Sequence, residues 1–223
     1  MDKKQYAIIG MGRFGSSIAN KLYEAGNEVL GIDMNEDRID ESKEFVTSAV
    51  IADTTEESAL REIGIRNFDV VVVAIGNDIQ ASILTTLILK ELGVNYIVAK
   101  ALNRHHGNVL EKVGADKVVY PERDMGERVA HNLMSPNVLN YIEVSKNYSI
   151  EEIQIPSPMA GKNLRELDIR ARYNLSVIAI KSGGEISVNP SPDQVINEND
   201  VLLMIGENAR LKQFAKVMEP VMA

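Results

Sequence analysis

The chain has 223 residues, 45% of them apolar and 25% charged, with a formal net charge of −8 and neither cysteine nor tryptophan. This is a globular composition, long enough for one mid-sized and one small domain. It excludes disulfides and thiolate metal sites, and the acidic balance argues against a nucleic-acid binder, which needs a basic face; a small nucleotide needs only one or two local positive groups.

The opening MDKKQYAIIGMG holds a short apolar run before glycine, which predicts a buried strand entering a turn rather than a signal peptide. No stretch reaches the roughly 18 consecutive apolar residues of a spanning helix, so any membrane role would act through a partner. The composition fits a reducing, cytoplasmic setting. Strands are predicted at Tyr6–Ile9, Glu28–Ile32, Ser48–Ile51, Val70–Ala74, Tyr96–Ala99 and Lys117–Val119. Helices alternate with them at Gly15–Ala25, Glu36–Glu44, Glu57–Glu62, Ile79–Leu92 and Arg104–Val113. The strands are rich in Val and Ile and nearly continuous in apolar character, as strands covered on both faces should be. The alternation implies an α/β fold with a doubly wound parallel sheet.

A further helix is expected over Arg123–Leu133, after which Ser135, Pro136 and Asn137 break the pattern. This places one domain at residues 1–134 and a second at 135–223. In the second, Tyr141–Val144 and Ile150–Ile155 read as strands and Leu164–Ala171 as a short helix. Strands follow at Leu175–Lys181, Glu185–Val188 and Val201–Ile205, then a closing helix at Asn208–Met218. Gly183 and Gly184 mark a tight hairpin. The order is that of a smaller mixed α/β domain.

The strongest motif is Gly10-Met11-Gly12-Arg13-Phe14-Gly15, which ends the first strand and opens the first helix. Gly10 permits a tight turn, Gly12 lets a phosphate approach the backbone, and Gly15 lets helix and strand pack closely. The helix start then offers unpaired N–H groups and the positive end of its dipole. Asp33 ends the second strand at the distance required for a carboxylate that accepts ribose hydroxyls. Together these features predict a nucleotide site in a Rossmann-like sheet. A free carboxylate at Asp33 would repel a 2′-phosphate, which disfavours NADP. Arg13 either neutralises a terminal phosphate through paired hydrogen bonds or is an ordinary surface arginine. Asp53 and Thr54, after the third strand, either lie by the base or cap the following helix. Gly76 and Asn77 follow the fourth strand beside the crevice. Lys100 ends the fifth strand and either reaches the ligand or is a surface lysine.

A dehydrogenase would also need a proton donor facing the nicotinamide. His105, His106 and His131 all fall on predicted helices and read as partly exposed residues. His105 and His106 diverge, unlike the i,i+4 pair that a metal prefers. No Walker lysine, GxSxG or CxxC occurs. A small NAD-dependent oxidoreductase or a nucleotide hydrolase is therefore the alternative reading, and a transcription regulator lacks its basic recognition helix.

GMGRFG, Asp33, RNFDVVVVAIGNDIQASILTTLILKELGV, GADKVVYPERDMG and LRELDIRARYNLSVIAIKSGGEISVNPSP span essentially the whole chain. Together they resemble the cytosolic RCK (KTN) regulators of potassium transport of the Ktr type. The resemblance implies a non-enzymatic subunit that binds ATP or ADP, and in some members NAD, in the first domain. Such subunits pair as dimers within an octameric ring beneath a membrane potassium-translocating subunit, with ATP activating and ADP inactivating. It further implies that Arg13 meets the terminal phosphate, in some members across a subunit interface, that Asp33 holds the ribose and that Asp53 lies by the base. Glu122 approaches the terminal phosphate and a divalent cation, Mg or Ca. A cation between them has a physical logic, because a carboxylate beside a polyphosphate is otherwise repulsive; the other reading of Glu122 is a first-turn glutamate favoured by the helix dipole. The helix after Glu122 would be a crossover between subunits. In the second domain, Ile169, Arg170, Asn174 and Pro192 are the positions implied for cyclic di-AMP. Their alternatives are core for Ile169, an ion pair for Arg170 and a stiffened loop for Pro192. Met11 stands where leucine is commoner in the family, a swap of similar volume.

Overall fold

A computed structural model describes residues 3–134, 138–156 and 159–217. The chain divides into two compact units, residues 1–124 and 125–223, with the division falling inside a helix.

In the first unit the strands are β1 (Gln5–Ile9), β2 (Glu28–Asp33), β3 (Ser48–Ile51), β4 (Val70–Val73), β5 (Ile97–Lys100) and β6 (Lys117–Val119). They pair in parallel in the order β3-β2-β1-β4-β5-β6. The alternating strands and helices therefore form the doubly wound sheet that their pattern predicts. Successive residues enter opposite layers, as the strand period of two requires. Ala7, Ile9, Leu30, Ile32, Val71 and Val73 belong to one core, while Ile8, Val29 and Val72 belong to another.

The crossover helices are α1 (Arg13–Glu24), α2 (Glu36–Ser42), α3 (Glu57–Ile63), α4 (Ile79–Glu91) and α5 (Arg104–Val113). A short 3-10 turn at Ile65–Asn67, which the sequence pattern does not announce, joins α3 to β4. Helices α2, α4 and α5 begin at Asn35, Asp78 and Asn103, whose side chains accept the amides of Arg38, Ala81 and His106. Such caps satisfy N–H groups that a helix start leaves unpaired. Helix α1 is capped by Gly12, which offers no side-chain acceptor, and α3 by Glu56, whose side chain makes no cap bond. Two shifts from expectation matter for the site. Helix α1 begins at Arg13, inside the glycine motif, and β5 extends one residue further, to include Lys100.

Helix α6 (Pro121–Met134) follows β6. Proline suits the first helical position, since its missing N–H would have no partner there. Glu122 thereby lies in the first turn. The break expected at Ser135, Pro136 and Asn137 lies outside the described residues, as does Met218.

The second unit carries β7 (Val138–Ser145), β8 (Tyr148–Gln154), β9 (Ser176–Ser182), β10 (Glu185–Val188) and β11 (Val201–Glu207). These form an antiparallel sheet in the order β10-β9-β11-β8-β7. Gly183 and Gly184, both with positive φ, turn the β9–β10 hairpin. The single helix expected over Leu164–Ala171 is two, α7 (Leu164–Leu167) and α8 (Ile169–Tyr173), parted by Asp168 in the left-handed region at φ 44°. Aspartate tolerates that conformation better than most residues. Helix α9 (Asn208–Val217) brings Leu211 and Phe214 into a core with Ile153, Leu202 and Met204. The Phe214 ring meets Tyr173 edge to face at 5.0 Å.

The histidines do not share one environment. His105 is exposed, as expected, whereas His106 is buried at 3% exposure. The side chain of His131 lies outside the described residues. His106 Nδ1 accepts the Leu102 N–H at 3.4 Å, and its Nε2 has no hydrogen-bond partner among the described residues. Burial holds this imidazole below the ordinary histidine range. The folded chain keeps it neutral at pH values where the unfolded chain protonates it. Its contribution is therefore complete above the unfolded pKa of about 6.5 and is lost as pH falls below it. Urea unfolding should show a stability loss as pH falls below about 6.5 that His106→Leu diminishes. An identical loss in the variant would exclude His106 as its source.

Candidate functional site

A cleft of about 1410 Å³ opens where the strand order reverses between β1 and β4, lined by residues from the ends of β1, β2, β4 and β5. Open parallel sheets place ligands at this point. Of the residues singled out from sequence, Gly10, Met11, Gly12, Arg13, Phe14, Asp33, Asp53, Thr54, Gly76, Asn77, Lys100 and Glu122 all line it. Gly15 does not. It lies beneath the loop, where a Cβ would overlap the carbonyl oxygen of Gly10 and come within 3.3 Å of the Ala74 side chain. Gly10 itself has φ +93°, and a side chain there would lie 3.0 Å from the Ala74 backbone. Gly12 faces open space, with no atom within 4 Å of the point a Cβ would occupy. The three glycines thus divide the work: two allow close packing, and one keeps the mouth of an uncapped helix clear for an anion.

Asp33 is not the free carboxylate that the sequence suggests. Its Oδ2 accepts the Met11 N–H at 2.7 Å, its Oδ1 accepts the Asn35 N–H at 2.9 Å, and Arg38 Nη1 lies 3.4 Å from Oδ2. A carboxylate has about four acceptor positions, so roughly one remains for a hydroxyl. Arg38 also offsets the charge that was expected to repel a 2′-phosphate. Arg38 is a site residue that the motif alone does not single out. Its signal in the sequence is a basic residue in the first turn of the helix after Asp33, behind the Asn35 cap.

Asp53 is fixed by its neighbour. Its Oδ1 accepts both the N–H and the hydroxyl of Thr55, at 2.9 and 2.7 Å, and these bonds hold its carboxyl below the ordinary range. It does not cap α3, whose cap is Glu56. Thr54 is buried, and its hydroxyl pairs with that of Thr85 at 2.9 Å, so it braces α4 from beneath the cleft.

Lys100 is no surface lysine. Its side chain is 9% exposed, its Nζ lies 2.6 Å from Glu122 Oε1, and the Phe14 ring centroid is 5.7 Å away. Glu122 is 67% exposed, and its carboxyl is held low by the Lys100 hydrogen bond first, then by its own backbone amide and the Lys100 and Arg13 charges, against a burial effect that raises it. Arg13 is exposed on the first turn of α1. No group of three or more carboxylate, histidine or cysteine side chains gathers to hold a metal among the described residues.

In the second unit, Ile169 is buried in the core and Arg170 is exposed on the next position of α8. Asn174 ends that helix at φ 55°. Exposed Pro192 accepts the Arg165 N–H at 2.8 Å, which ties its loop to α7.

The fold and the glycine cleft define a Rossmann-type nucleotide-site protein joined to a small antiparallel-sheet domain. Residues 6–121 match the TrkA-N domain and residues 150–219 the TrkA-C domain. The chain is 51% identical to Ktr system potassium uptake protein C of Bacillus subtilis, over 96% of this chain and 97% of that protein. It is 47% identical to the same organism's Ktr system potassium uptake protein A, over 95% of each. The chain belongs to the TrkA/Ktr family of potassium-uptake regulators, which are not enzymes. The oxidoreductase and hydrolase alternatives are set aside on that membership. Among solved structures, the GsuK channel has a TM-score of 0.71 at 21% identity, covering 98% of this chain and 40% of that one. The GsuK RCK domain has a TM-score of 0.55 at 26% identity, covering 98% and 47%. No helix of the described residues is long and apolar enough to cross a membrane.

The glycines differ in a way that unfolding can measure. Gly15→Ala should lower stability by at least about 2 kcal/mol, because backbone must move to admit the methyl group. Gly12→Ala should cost less than about 1 kcal/mol. Equal urea midpoints for the two variants would contradict this division of roles.

Proposed function

We propose that this protein is a cytoplasmic nucleotide-sensing subunit that gates a membrane potassium-translocating partner, with ATP favouring the active state and ADP the inactive one. The observation that carries this reading is the convergence of an uncapped helix start, a ribose-type carboxylate and two cationic side chains, Arg13 and Lys100, on one cleft. Family membership at 51% identity supports the potassium partner, whose name is carried by the relatives. In this reading residues 1–134 are the nucleotide-binding domain with its crossover helix, and residues 135–223 are the C-terminal domain. Dimers assemble into an octameric ring.

The β- and γ-phosphates would lie over Gly12 at the start of α1, the ribose at Asp33 and the base near Asp53, with Gly76 and Asn77 on the opposite wall. Arg13 would hold the terminal phosphate, and a divalent cation at Glu122 would bridge it. The additional phosphate of ATP is then the differential contact, since a ligand shifts an equilibrium only through its difference in affinity between states. Reversing a two-state ring from mostly inactive to mostly active requires about 5.5 kcal/mol. Spread over eight sites this is less than about 1 kcal/mol each, within the reach of one charge-assisted contact. NAD is the second candidate ligand, because the loop and Asp33 suit a dinucleotide equally. For the second domain the reading is cyclic di-AMP at exposed Arg170, Asn174 and Pro192, with Ile169 supporting them from the core.

Arg13→Ala should reduce ATP affinity about tenfold, to that of ADP, and change ADP binding little, as read by calorimetry. An equal loss for both nucleotides would remove Arg13 from the terminal phosphate.

A further inference from the structure

The ion pair between Lys100 and Glu122 is unequal. Lys100 is anchored at the end of β5 with its side chain 9% exposed, while Glu122, 67% exposed, reaches it from the first turn of α6. An ammonium removed from water to this extent needs an anion beside it. Glu122 supplies that anion at 2.6 Å, and the Phe14 ring face adds a weaker attraction at 5.7 Å. The carboxylate, by contrast, needs no ammonium, because water can solvate it where it stands. Lys100 cannot follow a departing partner, yet the partner can leave. Lys100 and Gly76 both line the cleft, and Nζ lies 3.9 Å from the position a Cβ would take at Gly76. A side chain there would narrow that approach.

We propose that Lys100 exchanges counterions: Glu122 neutralises it in the empty cleft, and a phosphate of the bound nucleotide takes that place and releases Glu122. This rests on the nucleotide reading above and adds to it a device that reports occupancy. Release of Glu122 unties the first turn of α6 from the end of β5. Helix α6 is the element within which the chain passes from the first compact unit to the second. The freed carboxylate then stands beside the incoming phosphate, where a divalent cation relieves the repulsion.

The test is a double-mutant cycle on the whole chain, with ADP as the probe and EDTA present to remove divalent cations. In wild type, Glu122 competes with ADP for Lys100, so Glu122→Gln should tighten ADP binding about fivefold. Lys100→Met should weaken it about tenfold. In the Lys100→Met background, Glu122→Gln should change ADP affinity less than about twofold, since there is no ammonium left to contest. Lys100→Met removes a buried charge and leaves an exposed carboxylate, so it should fold; Lys100→Gln is the second variant should methionine disturb the strand. Equal tightening in both backgrounds would mean that Glu122 merely repels phosphate, which overturns the exchange. No tightening from Glu122→Gln in the wild-type background would overturn it also. Failure of the wild-type chain to bind ADP, ATP or NAD at all would remove the nucleotide reading and the exchange with it, and the wild-type titration alone distinguishes that case.

Discussion

The site depends on how closely α1 crosses the first strand. Gly15 sits against the carbonyl of Gly10 with no room for a methyl group, and Gly10 turns against the Ala74 backbone in a conformation that side chains avoid. These contacts bring the helix start down onto the carboxyl ends of β1 and β4. Gly12, Arg13 and Phe14 at that start line the crevice. Gly12 completes the arrangement by withholding a side-chain cap, in contrast to Asn35, Asp78 and Asn103 on α2, α4 and α5. A helix start left without a side-chain cap at the mouth of the crevice offers its amides to an external anion.

Around that backbone frame the charged groups are held by one another. Asp33 ties the glycine loop to α2 through Met11 and Asn35, so this carboxylate fixes the shape of the loop. On the far wall, Lys100 is a charge kept out of water by the strand that carries it and neutralised by a residue of a different element. A cleft with one carboxylate locked into the backbone and another free to leave has one rigid wall and one responsive wall. A regulator needs this asymmetry more than a catalyst does, because its output is a change in the protein rather than in the ligand.

Much of this was legible in the sequence. Continuous Val and Ile runs identified the parallel strands because both sheet faces are covered, and the glycine spacing identified the loop because few residue types can occupy it. Most cleft-lining residues followed from position, at the carboxyl ends of strands, whereas Glu122 followed from the family resemblance. What sequence could not show was where side chains turn. Thr54 reads as a ligand contact or a cap, but its hydroxyl is taken by Thr85, thirty-one residues away. Lys100, at the end of the fifth strand, reads equally as a surface lysine until its side chain is seen to be buried against Glu122. Asp168 splits a helix whose pattern looks unbroken, because a left-handed residue leaves the hydrophobic spacing on either side nearly intact. The first two are set by tertiary neighbours rather than by local propensity.

If the cleft is a sensor, nucleotide occupancy in the first domain must alter the assembly that the chain forms. The most direct test is to titrate the purified chain with ATP, ADP and NAD while its size is followed by light scattering. Saturable binding of ATP and ADP, with a large assembly whose state differs between them, is the predicted result. Preference for NAD with no change in assembly would contradict it.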